Sequence, residues 1–157
     1  MATCAAVAAL SAAVPSDGSA PNMPLVVVVH KSSAFDDIPS GLLRKILSGE
    51  LLEWPDSRKV VLVQQPPESS VYQRTLILAL HTDLPAYKRH LIQVEFQGKE
   101  MPLIKMLSSD ELVVKFVGNV PGAVAVVEGA SVAAGAPRVK VMRIDGKMPG
   151  ERGYPLQ

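Results

Sequence analysis

The sequence predicts a three-layer α/β domain built on a mixed, mostly parallel sheet. Two runs carry that prediction, residues 25–29 (LVVVV) and 123–127 (AVAVV). Both are continuous, uncharged and rich in β-branched residues, the composition of strands buried on both faces by covering helices. The third observation is alternation: capped amphipathic stretches separate such runs along the chain, as in α/β rather than all-β domains. At 157 residues, 48% of them hydrophobic and 20% charged, the chain suffices for one well-buried domain and would be cramped as two.

Taken in order, residues 1–23 stand apart as a signal-peptide-like or disordered N-terminal segment, with the α/β domain expected over 24–157. The alanine-rich run 3–14 has the length of a signal-peptide core and is too short to span a bilayer. No Lys or Arg precedes it, so both readings stay open, as does the minor one of lipid attachment at Cys4.

Residues 25–29 form the first strand, and Asp36, Asp37 or Ser40 caps the helix that follows. In that helix Leu42, Leu43, Ile46 and Leu47 recur at helical spacing, and Gly49 falls where a left-handed C-terminal cap belongs. Trp54 sits in an acidic loop, residues 55–57 (PDS) have turn chemistry, and 60–63 (VVLV) form a buried strand. A second helix is expected over 71–81 with Leu76, Ile77 and Leu80 inward, and a third over 83–94, broken near Pro85. Ser108 and Glu111 have capping-box spacing for a fourth helix. A flexible loop is expected at 131–137, and 139–144 (VKVMRI) alternates like a half-exposed strand.

Composition excludes several functions. A formal net charge of +1 gives no field to steer nucleic acid, and 4% aromatic residues leave little for base stacking. One cysteine allows neither an internal disulfide nor a CxxC site. His30, His81 and His90 lack metal-ligand spacing, and no GxSxG, P-loop or GxGxxG motif occurs. The residues argue for no enzyme, no cofactor, no metal and no transmembrane segment.

The best ligand candidates come from strand–loop–helix geometry. A strand followed by a short loop, serines and a helix presents free backbone N–H groups to an anion. Here those groups are Ser69, Ser70 and the N–H of Val71 and Tyr72, with Arg74 one turn in as a source of positive charge. The competing reading is a plain N-cap with an exposed arginine. Ser32 and Ser33, at the end of the first strand, occupy the position where α/β folds place ligands; turn residues serve equally well.

Five segments in order resemble the type 2 periplasmic solute-binding proteins, in particular the substrate-binding subunits of phosphate ABC importers. They are LVVVVHKSS, RKILSGELLEWPD, VVLVQQPPESS, FQGK at 96–99 and PGAVAVV at 121–127, followed by the ending VKVMRIDGKMPGERGYPLQ. The corresponding family patterns are V-V-V-N, I-F-x-G-K-x-x-x-W-x-D, an S-G-T helix start, F-x-G-K, P-G-A-I-G-Y-V and V-K-x-L-x-I-D-G-x-x-P … Y-P-L. The resemblance covers residues 24–156. It implies one lobe of such a protein, a periplasmic or secreted location, inorganic phosphate or another oxyanion as ligand, and an ABC permease or other protein as partner. The family's phosphate loop, R-x-x-G-S-G-T, is QQPPESSV here, with the arginine and both glycines gone and Glu68 beside the serines. A buried phosphate needs dense N–H donors and a guanidinium fork, so this loop argues against tight phosphate binding by this chain alone. The alternative is an interaction module that keeps the fold and has lost the ligand.

Overall fold

In the computed structural model, which describes residues 23–133 and 137–157, buried strands and capped helices alternate to build a five-stranded mixed sheet. In chain order the elements are β1 (Leu25–His30), β2 (Asp37–Ile38), α1 (Ser40–Leu47), β3 (Val61–Gln64) and α2 (Ser70–Thr75). Then follow α3 (Leu84–Phe96), β4 (Leu103–Met106), α4 (Asp110–Val117), β5 (Ala123–Glu128), α5 (Gly129–Ala133), β6 (Val139–Val141) and β7 (Arg143–Ile144). The sheet order is β4-β3-β5-β1-β6, and β2 and β7 form a separate parallel pair. Strands β4, β3 and β5 are mutually parallel, whereas β1 runs antiparallel to both of its neighbours.

Period-2 side-chain direction divides the strands between two cores. Leu25, Val27, Val29, Leu62, Val124 and Val126 face one side, where Leu43, Ile46 and Leu47 of α1 and Val71 of α2 cover them. Val26, Val28, Val63, Ala123, Ala125 and Val127 face the other, beneath Val113, Val114 and Val117 of α4. The expected three layers are therefore present. Each of these large side chains contributes about 1.5–3 kcal/mol on burial.

Local chemistry departs from expectation at several points. No side chain of its own segment caps α1; Asp145 does so from the far end of the chain, its Oδ1 accepting from the Ser40 N–H at 2.9 Å. The second helix changes pitch. After Thr75 it winds as a π-helical turn, Leu76–Leu80, closed by His81 in the left-handed region (φ 52°). Tyr72, Thr75, Leu76 and Ala79, at i, i+3, i+4 and i+7, make the buried face, so Ile77, expected inward, lies on the opposite side and is 60% exposed. Pro85 does not break α3. Asp83 caps that helix, accepting from the Ala86 N–H at 2.8 Å, and proline in a first turn gives up an N–H that has no partner anyway.

Ser109, not Ser108, caps α4, its hydroxyl accepting from the Leu112 N–H. β4 was not expected at all. It is an edge strand with only Ile104 half-buried, so it carries neither a continuous apolar run nor clean alternation. The loop expected at 131–137 begins instead as the last turn of α5, and the strand at 139–144 divides into β6 and β7 around Met142. The signal-like reading of 1–23 falls, Met23 apart, outside the described residues.

Candidate functional site

The direction of β1 decides which candidates share an edge. The carboxyl ends of β3, β4 and β5 gather at one edge of the sheet, together with the start of β1, because Leu25 pairs with Glu128. Ser69, Ser70, Val71 and Arg74 lie at this edge. Ser32 and Ser33 leave β1 at the opposite edge, beside the start of β5, and do not join them.

At the carboxyl edge, most polar groups already have partners. Ser69 accepts from the Tyr72 N–H at 3.1 Å, an N-cap in its ordinary form, while its own N–H donates to the Pro66 carbonyl. Ser70 is exposed at the first helical position, and Val71 turns its side chain into the core. The N–H groups of Ser70 and Val71 take no acceptor among the described residues. Arg74 is spent elsewhere: one nitrogen donates to the Met23 carbonyl at 2.9 Å, and another lies 3.7 Å from Glu128. Its charge is therefore directed to the start of β1 and the end of β5.

Four residues that are not among the ligand candidates meet nearby. Gln65, only 8% exposed at the end of β3, donates its side-chain amide to Asp110 Oδ1. Asp110 Oδ2 accepts from the Glu128 N–H at 3.1 Å and from the Ser131 hydroxyl at 2.6 Å. Asp110 is the first residue of α4, and nothing in the local spacing reveals that donors from three other segments converge on it. Beside Gln65, between β3 and the second helix, lies a cavity of about 20 Å³ bounded by Val63, Tyr72 and Thr75, room for one water. Burial pushes the Tyr72 hydroxyl up to about 12 and raises Tyr87, whose ring meets it edge-on at 6.2 Å.

At the opposite edge, Ser32 and Ser33 finish a turn. His30 Nδ1 lies 2.7 Å from the Ser32 hydroxyl and accepts from the Ser32 N–H. Arg58 donates to the Ser32 hydroxyl and carbonyl, and Lys140 donates to the Ser33 carbonyl and to Asp36. That ion pair, through its hydrogen bond first, holds the Asp36 carboxyl below its usual range. Trp54 anchors the neighbouring loop, buried, stacked on Phe35 and donating to the Gly122 carbonyl at 3.0 Å. Among the described residues no three His, Cys, Asp or Glu side chains gather as metal ligands, and no helix is long and apolar enough to cross a membrane.

No family model and no curated protein matches the sequence. Solved structures do match the fold. An ABC-type phosphate transport receptor from Vibrio cholerae aligns over 81% of this chain and 48% of its own, at 16% identity and a TM-score of 0.64. PstS from Borrelia burgdorferi aligns over 85% of this chain and 54% of its own, at 14% identity and a TM-score of 0.66. A putative phosphate ABC transporter substrate-binding protein from Clostridium perfringens, solved with bound phosphate, aligns over 81% and 47%, at 12% identity and a TM-score of 0.62. The fold is that of one lobe of such a binding protein. The chain spans about half the length of the structures it matches. At these identities the likeness establishes the fold alone.

Proposed function

We propose that this chain is a non-enzymatic, solute-binding-like lobe acting as a protein-interaction module, its ligand loop given over to internal contacts. The observation that carries this reading is the use of Arg74. The Arg74 guanidinium, one turn into the helix that the serine loop opens, is committed to Met23 and Glu128, and a buried oxyanion without a cation or a dense set of donors is poorly held. Exposed apolar side chains supply a docking surface: Phe96 is 88% exposed on α3, and Leu103 is 66% exposed on β4, an edge strand paired on one side by β3.

A second reading rests on the two unpaired N–H groups. Ser70 and Val71 at the helix start, with Ser69, would hold inorganic phosphate or another oxyanion, completed by a partner lobe. A periplasmic or secreted location and delivery to an ABC permease go with that reading, as the phosphate-binding proteins of like fold suggest.

One paired experiment separates them. The chain is titrated with phosphate and sulfate while its thermal midpoint is followed. In parallel, partners are captured from native extract by the wild type and by a Phe96→Ser/Leu103→Ser variant. The module reading expects no saturable shift and a partner that the variant loses. A binding protein at about 100 times its Kd would gain about 2.7 kcal/mol. A saturable rise of that kind, abolished by Ser69→Ala/Ser70→Ala without unfolding, would establish the second reading. A monomeric chain that recovers no partner would overturn the first.

A further inference from the structure

The convergence on Asp110 has a specific form. Both oxygens of its carboxylate are engaged, and every donor is neutral: the Gln65 side-chain amide, the Glu128 backbone N–H and the Ser131 hydroxyl. No cation pairs with it among the described residues, whose ion pairs are Arg58–Asp56, Arg74–Glu128 and Lys140–Asp36. The carboxylate also stands at the first position of α4, an eight-residue helix whose N-terminal end favours negative charge. Neutral donors from separate segments, aimed at one anion beside a helix start, are the means by which proteins hold a free oxyanion. Gln65 is buried at the strand end, and its side-chain amide takes Asp110 as its hydrogen-bond partner among the described residues.

We infer that the Asp110 side chain is a tethered anion occupying a small-carboxylate site of this lobe, formed by Gln65, the Glu128 N–H and Ser131. While the tether is in place, free anions are excluded from that site. Asp110 lies at the carboxyl edge that ends β3 and β5, so the chain carries its own occupant where α/β domains receive ligands. The inference concerns this site alone and holds under either reading of the protein's function.

The test is chemical rescue. Asp110→Gly removes the equivalent of one acetate, and Asp110→Ala the equivalent of one formate, leaving the donors in place. Each deletion is expected to lower the thermal midpoint by several degrees. Acetate for the glycine variant, and formate for the alanine variant, should restore more than half of that loss with saturation, as binding to the native state requires. Chloride at equal ionic strength should restore none. Asp110→Asn keeps the shape and fills the site, so neither it nor the wild type should respond. Ser131→Ala placed on the alanine variant should weaken the formate response several-fold.

Absence of rescue, or an equal response in Asp110→Asn, would overturn the inference. Where a deletion variant fails to fold in plain buffer, refolding with and without the small carboxylate is the readout. Recovery of folded protein only with it supports the site. A chain that stays unfolded in both conditions, while Asp110→Asn folds, overturns it.

Discussion

The carbonyl oxygen of Gly122 accepts from the Trp54 indole N–H at 3.0 Å, which ties the acidic loop to the entry of β5. The same oxygen accepts from the Val61 N–H, so it serves the start of β3 as well. Gly122 has φ 88°, and a Cβ there would meet the Lys59 carbonyl oxygen at 2.5 Å. Gly122→Ala therefore combines a left-handed penalty with a backbone clash, and we expect a loss of about 3 kcal/mol or more. Trp54→Phe leaves the oxygen satisfied by Val61 and should cost only about 1–2 kcal/mol. Denaturant midpoints of the two variants check both values, and their order is the informative part.

Exposure along the second helix separates two neighbouring residues. Leu76 is 3% exposed and Ile77 is 60% exposed. Leu76→Ala should cost about 2–5 kcal/mol by opening the Tyr72–Tyr87 cluster. Ile77→Lys should stay within about 0.5 kcal/mol. A large loss from Ile77→Lys in chemical denaturation would show that Ile77 packs against the domain.

Asp145 caps α1 across 105 residues of sequence. The hydrogen bonds from Ser40, backbone first, hold its carboxyl below the ordinary value of 3.8. A depressed carboxyl adds stability above the unfolded value, and that stability is lost as pH falls below about 4 through the folded value. Asp145 also has φ 51°, which Asn tolerates and Ala does not. Asp145→Asn should therefore cost less than about 1 kcal/mol at neutral pH and soften the acid limb of the stability profile. Asp145→Ala should cost more, by about the 1–2 kcal/mol of left-handed strain. Urea unfolding from pH 2 to 7 measures both.

The tyrosines set the alkaline limb. Burial pushes Tyr72 and Tyr154 up to about 12 and raises Tyr87. The unfolded chain then releases these protons near pH 10 while the folded chain retains them, so stability declines as pH rises from about 10 through 12. The buried Tyr154 hydroxyl lies near the Val27 backbone without a hydrogen bond of proper geometry. Tyr154→Phe should thus be neutral or stabilising by up to about 1 kcal/mol at pH 7, and should flatten the alkaline decline. A destabilising Tyr154→Phe would reveal a partner for that hydroxyl.

What could be read from residues alone follows the range of the forces involved. Strands β1 and β5, helix α1 with its Gly49 stop, and the cap at Ser69 are local patterns, and they were legible. Strand direction is not local. The run at residues 25–29 reads as a strand buried on both faces whichever way it points, and placing a ligand at its carboxyl end assumed a parallel neighbour. Because β1 is antiparallel to β5, that assumption sends Ser32 and Ser33 to the wrong edge for meeting Ser69 and Ser70. β4 escaped notice because an exposed edge strand has little apolar patterning to show. The Asp145 cap and the donors around Asp110 join residues far apart in sequence, which no spacing rule spans.

The first strand and the tail are also joined directly, the Leu25 N–H donating to the Leu156 carbonyl at 2.9 Å. Residues 25 and 156 thus lie side by side, and the path between them is nearly a closed ring. A ring of this kind can be cut and rejoined. A short linker from residue 157 to residue 23, with new termini opened in the exposed 97–100 turn, should give a circular permutant that folds to the same sheet. By the same geometry, the domain is suited to being carried as a guest within a longer host chain, entering and leaving through neighbouring points without stretching either protein.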